Sequence, residues 1–456
     1  MIKPEHYLGE MPSTRETYSS LIRIALPSVA EMVLASLIGS MDTAMVGNLG
    51  AFAIAAVGLT GQPRMLILSI FFALNIGLTA IIARRRGEER REDANHTLRS
   101  ILVVIFGLSV VLTVLAVTFA PQLMRFTGAI EGETLEASTV YFRIIISAVP
   151  LNALTMAMTA SLRGIGNTKV TMYVNTISNL VNVVFNFLLI EGRFGFPRLE
   201  VAGAAIASVI GMTVGFVLTV IVLIKRDGYL HLTLHGSWKP EKKFLLPVFK
   251  VGGNAVLEQI ALRIGFFVFA RIVAGLGTQD FAAHQICMQF TMITFTLGDG
   301  IGIAATSLVG QNMGRGRPDV SMLYGKAAQR LALTASLFLI AVIFFLRVPL
   351  VKLFSDEQYV LDLASKVMII VAIFQPFQTT SVVISGCLRG SGDTKFIAIV
   401  MLICITIIRP LASLFAVHIL GLGLVGAWSA SLLDMITRMT IVYTRFSSFK
   451  WANIKV

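Results

Sequence analysis

Residues 20–46, SLIRIALPSVAEMVLASLIGSMDTAMV, are apolar enough to cross a membrane yet carry two carboxylates, Glu31 and Asp42. As a helix these 27 residues rise about 40 Å, enough to span a bilayer core with some tilt. Eleven residues are about three turns, so the acids stand roughly 16 Å apart on nearly the same face. A carboxylate in a membrane helix is costly unless it faces water or a partner, which makes both acids candidate functional groups.

The chain around this stretch is 456 residues long, 55% hydrophobic and 14% charged, with a mean hydropathy of +0.80, too apolar for a soluble globular protein. Repeated apolar runs of about 20 residues select an all-α integral membrane protein over a barrel, whose strands alternate over about ten residues. Twelve transmembrane spans are predicted, at 20–46, 54–83, 98–120, 138–160, 170–190, 201–224, 245–274, 280–309, 327–346, 361–385, 397–418 and 424–444. The net charge of +13 does not indicate nucleic acid, because Lys and Arg cluster in alternate loops: 84–99, Arg163 with Lys169, 225–243, and Arg389 with Lys395. Those loops are expected in the cytoplasm together with both termini, the protein lying in the cell's inner or plasma membrane. Cys287, Cys387 and Cys404 lack metal-ligand spacing, and no disulfide framework is expected. HExxH, GxSxG and GxxxxGK[ST] motifs are absent, which argues against an intramembrane enzyme and against ATP as the energy source.

The two halves repeat. Leu162-Arg163-Gly164-Ile165-Gly166-Asn167-Thr168-Lys169 returns 226 residues later as Leu388-Arg389-Gly390-Ser391-Gly392-Asp393-Thr394-Lys395. Glu31 recurs as Glu258 and Pro150 as Pro376. With six spans per copy, the copies share one orientation, the parallel-repeat architecture of secondary transporters with a central path between lobes. The predicted domains are a tail (1–19), a first lobe (20–225), a linker (226–244), a second lobe (245–444) and a tail (445–456). Pro27, Pro63, Pro150 and Pro376 mark possible bends.

Departures from the repeat point to function. Asp42 maps to Phe269, so this acid exists in the first lobe alone. Asn175, Asn179, Asn182 and Asn186 form one helical stripe in the fifth span, whereas their counterparts Met401, Ile405, Ile408 and Ala412 are apolar. A carboxylate with amide oxygens suits sodium, and the same carboxylate can take a proton instead. The plainer reading of the stripe is hydrogen bonding between neighbouring helices. Asp42, Asn182, Asn186 and Glu31 are the candidate cation- or proton-binding residues. In the second lobe Glu258, Arg263, Asp299 and Arg409 sit inside apolar spans, where a structural ion pair competes with a transport role. Arg64, His284, His418, Asp434 and Arg438 are read as snorkelling groups or local partners. Met288 and Met292 are candidates for an adaptable substrate-facing surface.

Residues 41–47, MDTAMVG, the duplicated LRGxG(N/D)TK, and Gly310-Gln311-Asn312-Met313-Gly314 together resemble the multidrug and toxic compound extrusion (MATE) transporters, over essentially the whole chain. The resemblance implies a V-shaped cavity between two six-helix lobes, and export of cationic amphipathic organic compounds against an inward flow of sodium ions or protons. It implies a coupling-ion site at Asp42, Asn182 and Asn186, which includes a possible sodium site, and a second-lobe acid at Glu258. The chain departs from the family at Gln375-Pro376-Phe377-Gln378, which has no carboxylate where one branch has an acid, so Gln378 stands in that region. Asn186 stands where another branch has Asp. No cofactor is expected besides the coupling ion, and the expected partners of a monomer are organic cations and membrane lipids. The alternative is a flippase of lipids or lipid-linked sugars, for which several cavity Lys or Arg are expected; the first lobe offers chiefly Arg64.

Overall fold

The computed structural model describes residues 7–47, 49, 51–129, 131–225, 228–233 and 237–454. Residues 226 and 227, the first of the linker read at 226–244, lie outside these, as do the ends of both tails. Among the described residues every regular element is helical. The first repeat holds α1 (Thr14–Gly47), α2 (Ala51–Gly87), α3 (Arg91–Thr118), the short α4 (Ala120–Phe126), α5 (Glu133–Ser147), α6 (Val149–Gly164), α7 (Thr168–Leu189) and α8 (Glu200–Ile224). The second holds α9 (Lys242–Ala274), α10 (Thr278–Gly314), α11 (Pro318–Lys352), α12 (Gln358–Ser391), α13 (Thr394–Met401), α14 (Arg409–Leu414) and α15 (Gly423–Ser447).

Among the described residues nine helices, together with the α5–α6 pair, are long and apolar enough to cross a membrane. The other two of the twelve spans, α9 and α15, carry Glu258 with Arg263 and Asp434 with Arg438. Helix ends outrun the apolar stretches where charge suits the backbone dipole. Arg84, Arg85 and Arg86 close α2, and Glu92 and Asp93 open α3.

Two spans are irregular. The fourth is broken: α5 and α6 meet at 45° around Ala148, with Pro150 in the first turn of α6, where a missing N–H costs nothing. Its repeat mate Pro376 lies inside the unbroken α12. The eleventh span passes into π-helical geometry at Leu402–Ile408 and again at Phe415–Ile419, on either side of α14 and its Arg409. Such local widening of a helix often marks functional segments.

Two compact units emerge, Ala30–Gly252 and Met1–Val29 with Gly253–Val456. The chain passes between them inside α1 and α9 rather than in the linker. For α1 the reason is packing: Leu21, Ile24 and Ala25 are buried in a core shared with Ile301, Ala304, Ala305 and Ile384. Within the Ala30–Gly252 unit, Val46, Tyr141, Ile145, Ile190, Val201 and Ala204 form a core cluster on which the site below rests.

Candidate functional site

The asparagine stripe of α7 serves two acids in turn. At one end Glu31 is 5% exposed and takes hydrogen bonds from Asn175 Nδ2 at 2.6 Å and Thr171 Oγ1 at 2.9 Å, with Arg163 completing an ion pair. At the other end Asn186 Nδ2 donates to Asp42 Oδ1 at 2.7 Å. The Asn182 amide, in the orientation that satisfies both its ends, donates to both Asp42 oxygens at 2.9 Å and accepts from the Ser208 amide and hydroxyl at 3.1 Å. Asn179 lies between the two clusters in the stripe.

Asp42, Asn179, Asn182 and Asn186 line a cavity of about 280 Å³ with Arg64, Ser178 and Tyr141, and with apolar walls from Val57, Ala204 and Met212. Asn186 is 1% exposed, and its Oδ1 is buried with no hydrogen-bond partner among the described residues. An acceptor oxygen of this kind beside a carboxylate suits a cation or a proton donor, since buried polar atoms are generally satisfied. The site therefore offers a negative oxygen pair, an amide oxygen and a cavity with polar and apolar walls.

Close helix packing sets this geometry. A Cβ on Gly211 of α8 would lie 2.8 Å from the Ser178 carbonyl oxygen and 2.9 Å from the Asn182 Cβ, so only glycine lets α8 carry Ser208 against the stripe. Gly211→Ala is expected to push Asn182 off Asp42 and to destabilise the protein by about 1–3 kcal/mol, the usual cost of overpacking. A melting temperature unchanged from wild type would show that α8 can shift freely.

The structure brings Asp42, Asn182 and Asn186 together and leaves Glu31 apart in its own ion pair. Arg64, read as a snorkelling group or local partner, lines the cavity. Tyr141 and Ser208 complete the site and carry no signal in the sequence, since neither residue type is unusual in a span.

The second-lobe residues divide between two clusters. Glu258 is 2% exposed and paired with Arg389, the repeat mate of Arg163, and Asp299 places another negative charge near that arginine. Arg409 instead binds Asp434, with Nη2 at 2.6 Å and Nε at 3.1 Å, and Arg438 stands 3.9 Å from the same oxygen. Asp434 is fully buried and Arg438 is 5% exposed, so of the two readings given to them, snorkelling groups or local partners, the pair acts as local partners, well inside α15. Gln378 is buried with Oε1 unpartnered, Met288 packs against the cluster around Phe269, and Met292 is exposed. Among the described residues no group of three His, Cys, Asp or Glu is placed to hold a metal ion.

Among the described residues, the helical spans in two repeats, with a carboxylate–amide cluster inside one of them, make up a multi-pass membrane protein. The MatE family model matches residues 27–188 and 255–414, one stretch in each repeat, and the chain belongs to that family. The probable multidrug resistance protein NorM of Thermotoga maritima is 29% identical over 445 residues, covering 97% of this chain and 94% of that protein. The multidrug resistance protein NorM of Vibrio cholerae is 27% identical over 381 residues, covering 82% of each. The solved structure of a MOP superfamily transporter from Pyrococcus furiosus has the same fold, with a TM-score of 0.88 at 22% identity over 97% of this chain and 100% of that one.

Proposed function

We propose that the protein is a multidrug efflux antiporter of the plasma membrane that exports cationic amphipathic compounds in exchange for protons or sodium ions. The observation that carries this reading is the Asp42 carboxylate, held by Asn182 and Asn186 in a cavity beside an unpartnered amide oxygen. Asp42 is the coupling group. A cation or proton bound there from outside favours one of two alternating conformations, and the drug favours the other. The names of the relatives, multidrug resistance proteins, support drug export. Among the described residues that line this cavity Arg64 is the one basic residue, whereas a flippase for anionic headgroups calls for several. The basic loops and both termini face the cytoplasm by the positive-inside rule.

The test is a cationic dye in liposomes containing the purified protein, with a sodium gradient alone and then a pH gradient alone. Dye movement is expected with one of the two and identifies the ion. Dye that stays put under both, while a labelled lipid crosses the bilayer, would replace this reading with a flippase.

A further inference from the structure

A second cavity of the Ala30–Gly252 unit, about 380 Å³, is separate from the Asp42 site. It is a groove walled by Leu102, Val103 and Phe106 of α3, Leu154 and Met158 of α6, and Phe216, Val220 and Ile224 of α8, and closed at one end by Leu232, Thr233 and Trp238. Its lining is almost wholly apolar, and Val103, Phe106 and Ile224 are among the exposed large hydrophobics. From Phe216 to Ile224 the helix rises about 12 Å, close to the depth of one leaflet's hydrocarbon, about 15 Å.

The closed end is positively charged. Lys225 follows Ile224 and Lys239 follows Trp238, and both are exposed. Residues 225–243 hold five basic and two acidic side chains, and one of the acids, Glu241, is 3.3 Å from His96. Two of its described residues are held over the first turns of α3: Asn95 Oδ1 accepts from the His231 amide at 2.8 Å, and the Ser100 hydroxyl donates to the Lys239 carbonyl at 3.5 Å. Between those anchors lies Arg99, one turn before Leu102 and Val103 on the same face of α3. It is 6% exposed, and its buried Nε has no hydrogen-bond partner among the described residues. A buried guanidinium without an anion is costly, and its planar fork suits phosphate.

We propose that this groove is a binding site for an anionic phospholipid of the cytoplasmic leaflet, with one acyl chain between α3, α6 and α8 and the phosphate at Arg99, flanked by Lys225 and Lys239. The lipid supplies the anion that Arg99 lacks and covers the apolar walls, which a free phosphate cannot do. The inference does not depend on drug export, so its failure leaves the function proposed above untouched.

Trp238 makes the site measurable, because the other tryptophans, Trp428 and Trp451, are 2% and 0% exposed. The full-length protein is placed in vesicles containing either dibrominated phosphatidylglycerol or dibrominated phosphatidylcholine, and the fluorescence component lost in Trp238→Phe is followed. Quenching by the anionic lipid is expected to be stronger by about fivefold, the preference that one basic residue near a headgroup sustains. Arg99→Gln should bring the two lipids to parity. Lys225→Gln with Lys239→Gln, which alters only exposed positions, should lower the preference even if Arg99→Gln does not fold. Equal quenching in the wild type, or a preference unchanged by the lysine substitutions, would overturn the site. Loss of the preference on adding millimolar inorganic phosphate would also overturn it, by assigning Arg99 to a free anion.

Discussion

Replacing Asp42 with Asn is expected to abolish gradient-driven export, lowering dye transport about 100-fold to the passive leak, while the protein folds and inserts normally. A ligand shifts a conformational equilibrium only by its differential affinity, and an uncharged side chain gives the ion nothing to distinguish between the two conformations. The fold survives because the local hydrogen bonds can be remade. The new amide oxygen still accepts from Asn186 Nδ2, which lies 2.7 Å from Asp42 Oδ1. The new NH2 group faces Asn182, whose amide can turn to present its oxygen, with its nitrogen donating to the Ser208 hydroxyl at 3.1 Å. The measurement is liposome export beside a melting curve. Wild-type export by Asp42→Asn would remove this carboxylate from the mechanism, and a collapsed melting temperature would show it to be structural.

The largest stability effect is expected at Asp434. This carboxylate is fully buried and faces two guanidinium groups, Arg409 and Arg438. Arg438 has methionine sulfurs as its other neighbours, Met401 and Met435, which are weak acceptors. Asp434→Ala leaves both arginines buried without a counter-charge and is expected to cost about 3–5 kcal/mol, the range for breaking one side of a buried ion pair. Exchanging the whole triad, Arg409→Met and Arg438→Met with Asp434→Leu, is expected to recover much of that loss, because well-packed apolar groups can replace buried ionic groups. Thermal unfolding in detergent reads both. A loss below about 1 kcal/mol for Asp434→Ala would mean that water reaches the triad and solvates the arginines.

The span count, the repeat and the Asp42 cluster are legible in the sequence because each rests on a period. Apolar runs of bilayer length mark spans, a recurring octapeptide marks duplication, and asparagines spaced four, three and four mark one helix face. Partnerships across the fold are harder to read. Arg163 and Arg389 look like loop cations that set orientation, yet each ends a helix, and its long side chain pairs with a carboxylate inside the unit, Glu31 or Glu258. Asp434 and Arg438 lie mid-span in the sequence as well, but their partner Arg409 sits in a different span, and only the fold brings it to Asp434. Tyr141 and Ser208 are visible only in the folded site, since what selects them is position and not chemistry. Methionine has the opposite limitation: it suits both a core and a substrate wall, and only the structure separates the packed Met288 from the exposed Met292.

The matching ion pairs, Glu31 with Arg163 and Glu258 with Arg389, bear on how such a chain can change over generations. A tandem gene fusion starts with two copies of everything, and each copy is free to drift wherever the other covers for it. Neither descendant has given up the glutamate–arginine clasp, so it belongs to what each copy needs for itself. Asp42 and the asparagines beside it occur in one descendant alone, and Phe269 and the apolar residues of the other show that its scaffold stands without them. Scaffold and chemistry are thus inherited separately, and a new coupling ion could arise by changes in one half while the other stays as it is.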